Sequence, residues 1–404
     1  MEITKFKGLK NTVAEERLLP GELSEAYDID IDGVGAVRTR QGLTAVSATA
    51  SHSMWSSGDF CFVAQGTTLY RMSSSGALTQ VATLTSTRPI SYMESNGTVY
   101  WSNGTDTGRI VRGAAKRWGI APPVGQPRAS VTVGSLPAAT YKYAMTFIRS
   151  DGEESGARTA ATFELNAVGG IAFTSFPTSS DPDVAGFSLY LSGPNGTEMY
   201  HIGTFPSSTT TVNHRNEASR LGVALDPEYA EAAPAGTIVE KLAGVAYVAD
   251  GSVIWYSDPY RMERFRRGSR FLQFPGLVTM VAAVDDGLFV ATESSTWFLG
   301  GTEPTTMKPS RVLESGAIPG TVAKVDSSEL DADDDEDTSP TRPSVFWMST
   351  HGIIAGRSGG QVEKLTYDTY GIPVGHRGSA LLRTDRGNVT YVSSVEGSST
   401  GNQH

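Results

Sequence analysis

Val245-Ala-Tyr-Val-Ala249, then Asp250-Gly251, then Val253-Ile-Trp-Tyr-Ser257 is the stretch on which the fold class turns. Two short runs of β-branched and aromatic residues flank an Asp-Gly pair, which tolerates the positive φ angles of a tight hairpin turn. The unit recurs on both sides. Upstream are Phe60-Cys-Phe-Val-Ala64, Gln65-Gly66, Thr68-Leu-Tyr-Arg-Met72, and then Ser91-Tyr-Met93, Asn96-Gly97, Thr98-Val-Tyr-Trp101. Downstream come Asp285-Asp-Gly-Leu-Phe-Val-Ala291 with Thr296-Trp-Phe-Leu299, and Val345-Phe-Trp-Met348, His351-Gly352, Ile353-Ile-Ala355. Leu381-Leu-Arg383, Gly387-Asn388, Val389-Thr-Tyr-Val392 is the last.

Consecutive units fall roughly 40 to 45 residues apart, the period of propeller blades. Two intervals are longer: the second-to-third holds a separate domain, and the fourth-to-fifth holds an acidic segment. One blade cannot bury both faces of its sheet, so a ring of sheets is the natural solution. A pair of stacked antiparallel sheets is the competing architecture. The fold class expected is therefore all-β: a propeller-like body of short antiparallel blades with an inserted fibronectin-III-like or immunoglobulin-like β-sandwich.

The insert follows the Pro-rich linker Trp118–Pro127 and ends near Ala232. It contains the alternating run Thr140–Ile148, the turn Ser150-Asp-Gly-Glu-Glu-Ser155, Ala161–Leu165, Ile171–Phe173, Gly186–Leu191, the turn Pro194-Asn-Gly196, and Met199–Thr204. About seven short strands in about 100 residues suit such a sandwich, and the lack of a Cys pair favours its fibronectin-like form. The organisation expected is an N-terminal segment (1–50), a first propeller part (51–122), the sandwich (127–232), and a second propeller part (235–404) carrying an acidic loop (324–343). The one helical possibility is a short stretch near Pro227–Ala235.

The single cysteine, Cys61, rules out an internal disulfide framework and sits in an apolar run, where a buried inert thiol is the simplest expectation. Met1–Lys10 lacks the apolar core of a signal peptide, and the run Leu277–Val284 is too short to span a bilayer. Folding in a cytoplasm is expected. Of the net charge of −10, the stretch from Lys324 to Asp337 holds eight acids and one lysine, leaving −3 for everything else. That near-neutral remainder argues against a dedicated nucleic-acid surface.

Phe6-Lys-Gly-Leu-Lys-Asn11, Leu19–Ala26, Asp28-Ile-Asp-Ile-Asp-Gly33 and Val37-Arg-Thr-Arg-Gln-Gly42 open the chain in that order. The style returns in Tyr100–Gly104, Trp118–Pro123, Gly152–Gly156, Ile254–Pro259, Asp286–Val290 and Phe346–Gly352. This succession resembles the tail hub and nozzle proteins of short-tailed bacteriophages, including the packaged-DNA-stabilising type. The resemblance touches nearly the whole chain and rests on the order of its motifs. It implies a ring-forming virion subunit, a homohexamer, that continues the portal and adaptor channel, retains packaged DNA and docks fibres or a needle. Contact with phage DNA would then be transient and non-specific.

Asp28-x-Asp30-x-Asp32-Gly33 matches the start of a calcium loop, but Thr39 stands where the bidentate Glu belongs. Asp residues pointing to solvent from a strand are the simpler reading, and no metal or other cofactor is expected. Asp331, Asp333, Asp334, Asp335, Glu336 and Asp337 read as a solvated flexible loop, or as a negative ring around a pore if several copies meet there. Arg261, Arg264, Arg266, Arg267 and Arg270, with Phe265 and Phe271 between them, read as a subunit contact pairing to a neighbour's carboxylates. Nucleic-acid stacking is the alternative. The six histidines have no ligand spacing, and neither a nucleophile elbow nor a P-loop is present. The four Asn-x-Thr sequons, at Asn96, Asn103, Asn195 and Asn388, are turn residues. The expectation is a non-enzymatic structural protein. The rival is a carbohydrate-binding or depolymerising tail propeller using Trp101, Trp255 and Trp297 to stack on sugars, residues whose alternating spacing also suits a core.

Overall fold

The computed structural model describes residues 5–27, 29–31, 35–39, 45, 47–58, 60–216, 222–226, 229–325, 343–370, 375–385 and 388–397. Among the described residues, five antiparallel meanders of at least four strands form the body. Their first strands are His52–Ser57, Ser91–Ser95, Ile238–Leu242, Val278–Val284 and Ala323–Lys324, and we number the blades 1 to 5 in that order. The body is an all-β propeller-like array with a β-sandwich inserted between blades 2 and 3.

The alternation of side chains explains why the blades stack. In Val245–Asp250, the second strand of blade 3, Val245, Tyr247 and Ala249 pack into the cluster shared with blade 4. Ala246 and Val248 pack into the cluster shared with blade 2. Successive residues of a strand point to opposite faces, so a strand buried on both sides must be apolar throughout. The same division repeats: Phe62, Ala64 and Leu69 of blade 1 meet Tyr92, Val99 and Trp101 of blade 2. Met280, Ala282 and Phe289 of blade 4 meet Val345, Trp347 and Ile354 of blade 5. Turns are cut to match. Asn96 (φ 50°) and Gly97 (φ 73°) both take the left-handed conformation that matches the twist of the flanking strands. At Gly108 a Cβ would lie 2.7 Å from the Trp101 indole, so the ring packs against bare backbone.

The sixth hairpin of the sequence is not a blade. Gly375–Asp385 and Asn388–Gly397 form a two-stranded ribbon. The ribbon leans on blade 5 through the Tyr391 hydroxyl, which donates to the Thr321 carbonyl (2.5 Å), and through the Phe346–Tyr391 ring contact. Leu381 and Val392, directly opposite each other on its outer face, stay 56% and 40% exposed. With one face covered, the ribbon alternates where the inner blade strands, such as Val245–Asp250 and Gly287–Thr292, are buried nearly throughout. At the other end of the chain, the Asn11 N–H donates to the Thr369 carbonyl (3.0 Å), which ties the N-terminal segment to the chain just past blade 5.

Seven strands build the sandwich. Arg128–Leu136, Gly169–Thr174 and Thr211–His214 form one sheet; Ala161–Leu165, Ala139–Arg149, Val184–Ser192 and Met199–Pro206 form the other. Tyr141, Tyr143, Met145 and Phe147 project from one face of the long strand into the core with Ile171, Phe173 and Leu189. The helical possibility near Pro227–Ala235 is overturned for the described residues: Glu231 bridges antiparallel to Phe265, and that pairing holds the segment extended. Among the described residues no helix is long and apolar enough to cross a membrane.

Candidate functional site

The most heavily built polar region is the seam between sandwich and propeller. Tyr141, Tyr143, Met145 and Phe147 are followed at the same spacing by Arg149, so a guanidinium ends an apolar stripe. Its side chain is 1% exposed. It donates to Glu153, to Asp181 (2.6 Å), and to the carbonyls of Arg117 (3.2 Å) and Gly119 (3.4 Å) in the linker. Glu153 lies just past a turn at Gly152 (φ 86°) and also accepts from Arg109 of blade 2. One carboxylate thus joins an arginine of the propeller to an arginine of the sandwich. Burial opposes the Arg149 charge, but Glu153 and Asp181 more than offset it and hold its pKa above the ordinary value. Burial pushes the Glu153 carboxyl up, against the pull of Arg109 and Arg149.

A second row of charge lies beside it. Arg264, buried, reaches Asp226 (3.0 Å) and Glu154 (4.0 Å). Glu154 in turn accepts from Thr146 and from the Tyr190 hydroxyl, both at 2.6 Å. Arg266 and Arg270 share Asp258, at 3.3 and 3.2 Å. Arg267 pairs with Glu231 (3.6 Å) and stands 5.1 Å over the Trp255 ring. Arg261 lies 3.8 Å from Glu263. Within the chain each of these arginines meets a carboxylate. Two of these carboxylates, Asp226 and Glu231, come from the return segment, while Asp258 and Glu263 lie on blade 3 itself. The Trp118 indole completes the seam by donating to the Met262 carbonyl (2.8 Å) and packing on Tyr100 and Phe265.

The first strands of blades 2, 3 and 4 run beside one another. There Glu240 of blade 3, buried, accepts the Ala283 N–H of blade 4 (3.3 Å) and pairs with Lys324 of blade 5. The Ser91 hydroxyl of blade 2 accepts the Val239 N–H at 3.0 Å. An ion pair and two backbone-to-side-chain hydrogen bonds therefore tie the neighbouring blades together.

Other singled-out residues fall elsewhere. Asp28 and Asp32, and the acidic run Asp331, Asp333, Asp334, Asp335, Glu336 and Asp337, lie outside the described residues. Asp30 falls in the strand Ile29–Ile31, opposite Arg38. Among the described residues no group of three or more His, Cys, Asp or Glu side chains is placed to hold a metal. Trp101 is buried, Trp255 is covered by Arg267, and Trp297 packs on Phe274. Cys61 is half-buried, and burial pushes its thiol up. Sequence reading missed Arg109, Arg149, Glu153, Asp181 and the Glu240–Lys324 pair. The one available signal was Arg149, a charge at the next position of an apolar stripe.

No family model matches the chain, and no curated protein does. Similar solved structures include apo AztD from Citrobacter koseri (11% identity, 81% of this chain and 87% of that one, TM-score 0.29). A catalytically inactive virginiamycin B lyase from Staphylococcus aureus with quinupristin gives 10% identity, 85% and 92% coverage, and TM-score 0.30. Sqt1 from Saccharomyces cerevisiae gives 10%, 80% and 85%, and 0.24. Likenesses of this degree carry no argument about what the chain does.

Proposed function

We propose that this chain is a virion structural protein of a bacteriophage tail, a hub or nozzle subunit acting as a homo-oligomeric ring. The observation that carries the reading is the seam. A buried charge is retained only where its partners face it, and the Arg149–Glu153–Arg109 bridge links the sandwich to the propeller. An arm so linked to a multi-blade body suits a part that transmits load between neighbours. The ordered motifs of the N-terminal segment point the same way. A DNA channel in this reading runs between copies of the chain. Portal or adaptor proteins would sit above the ring, and a fibre or needle would dock on the projecting arm.

The test is the mass of the purified chain by native mass spectrometry or light scattering, with and without its virion neighbours. A closed ring, alone or on adding the adaptor complex, supports the proposal. A chain that stays monomeric in both conditions, with particles that retain their genome when it is deleted, refutes it.

A further inference from the structure

A cleft of about 420 Å³ opens at one end of the sandwich, between the segment 175–182 and the turn 207–210. That volume lies within the range of small-ligand sites, about 300–1,000 Å³. Aromatic rings line it. Phe176 stacks on the buried Phe187 with ring centroids 4.4 Å apart and planes at 27°, and Val184 and Pro177 extend the apolar surface. Its rim is built of hydroxyls, among them Thr178, Ser179 and Thr209. The one carboxylate in its lining, Asp181, is already held by Arg149. Ser175, in its lining, sits at φ +56°, a strained conformation for a non-glycine residue and of the kind that collects at binding sites.

We infer that this cleft binds a neutral pyranose residue of a saccharide. A sugar ring presents an apolar C–H face and a girdle of hydroxyls, and the cleft presents aromatic rings and a girdle of hydroxyls in return. Charge plays no part, because Asp181 is neutralised within the seam. An anionic sugar would find no free cation there, and a purely apolar ligand would strip water from the hydroxyl rim without replacing its hydrogen bonds. Since Asp181 belongs to both the cleft and the seam, the bound ring would be held at a fixed position relative to the propeller. The inference does not depend on the ring reading.

Saturation-transfer NMR on the full chain tests it, with disaccharides of glucose, galactose, mannose, rhamnose and N-acetylhexosamines, each beside its uronate counterpart where one exists. Transfer to the C–H protons of one ring face of a neutral sugar is the expected result. Phe176→Ala removes one of the rings and should weaken binding about tenfold or more. Thr209→Val removes one hydroxyl at constant volume and should weaken it about fivefold, the worth of one neutral hydrogen bond, with the melting temperature unchanged. The inference is overturned if no neutral saccharide binds up to about 10 mM. It is equally overturned if uronates bind better than their neutral parents, or if both variants bind as the parent chain does.

Discussion

Replacing Arg149 by methionine keeps most of the side chain's length and packing while deleting its charge, which isolates the seam's electrostatics. In the native chain the guanidinium serves Glu153, Asp181 and two linker carbonyls. Without it, the Asp181 side chain, 3% exposed, is left with no cation against it, and Glu153 retains only Arg109, which it shares with Asp151. Breaking a buried pair from one side costs about 3–5 kcal/mol, because the orphaned charge stays desolvated. In a domain of about 90 residues, 1 kcal/mol moves the melting temperature by roughly 4–8 °C, so the sandwich should melt more than about 10 °C lower. Scanning calorimetry measures this, and hydrogen exchange should show the loss beginning at linker residues 117–119. The double variant Arg149→Met, Asp181→Asn should regain part of it, about 1–2 kcal/mol, since it also removes the stranded charge. A melt within about 2 °C of the parent chain, or a double variant no better than the single, would show that packing and not charge pairing holds the two bodies together.

Three further outcomes follow from the same geometry. Lys324→Met leaves buried Glu240 without its partner and should lower stability in urea unfolding by about 1–3 kcal/mol, an effect that Glu240→Gln in the same chain should lessen. His214 is held below the ordinary histidine value of 6.5 by burial, so the folded state favours its neutral form while the unfolded chain takes up a proton. Stability of the sandwich should therefore be level above about 6.5 and fall as pH drops below it, and His214→Gln should flatten that slope in calorimetric scans across the window. Tyr391 has its phenol pushed up to about 12, chiefly by burial, and donates to the Thr321 carbonyl. Tyr391→Phe should cost about 0.5–1.5 kcal/mol and speed hydrogen exchange in 375–397, with blades 1 to 4 unaffected.

The parts of the fold that sequence reading reached are those with local causes. The six hairpins were legible because each places β-branched and aromatic runs around a turn, and Asn96-Gly97 can adopt its left-handed pair wherever it sits in a chain. The insert was legible because the linker and the alternating run Thr140–Ile148 break the blade period. What failed to follow was the sixth hairpin's status. Its Leu381–Val392 pair reads like a blade strand, yet only one face finds a neighbour.

The arginines divide the same way. Composition and spacing identified Arg261 to Arg270 as a cluster in need of carboxylates, and that need is intrinsic to guanidinium groups in a β-rich segment. Which carboxylates answer it depends in part on the return path, since Asp226 and Glu231 come from the far side of an inserted domain while Asp258 and Glu263 are local. The seam is more extreme still: Arg109, Arg149 and Asp181 are drawn from a blade, a sandwich strand and a sandwich loop. Sequence by itself determined the strands, the turns and the all-β character of this protein, because those depend on backbone preferences over a few neighbouring residues. Tertiary structure alone decided the seam, the Glu240–Lys324 pair and the cleft beside Phe176, because each gathers side chains whose separation along the chain carries no local signal.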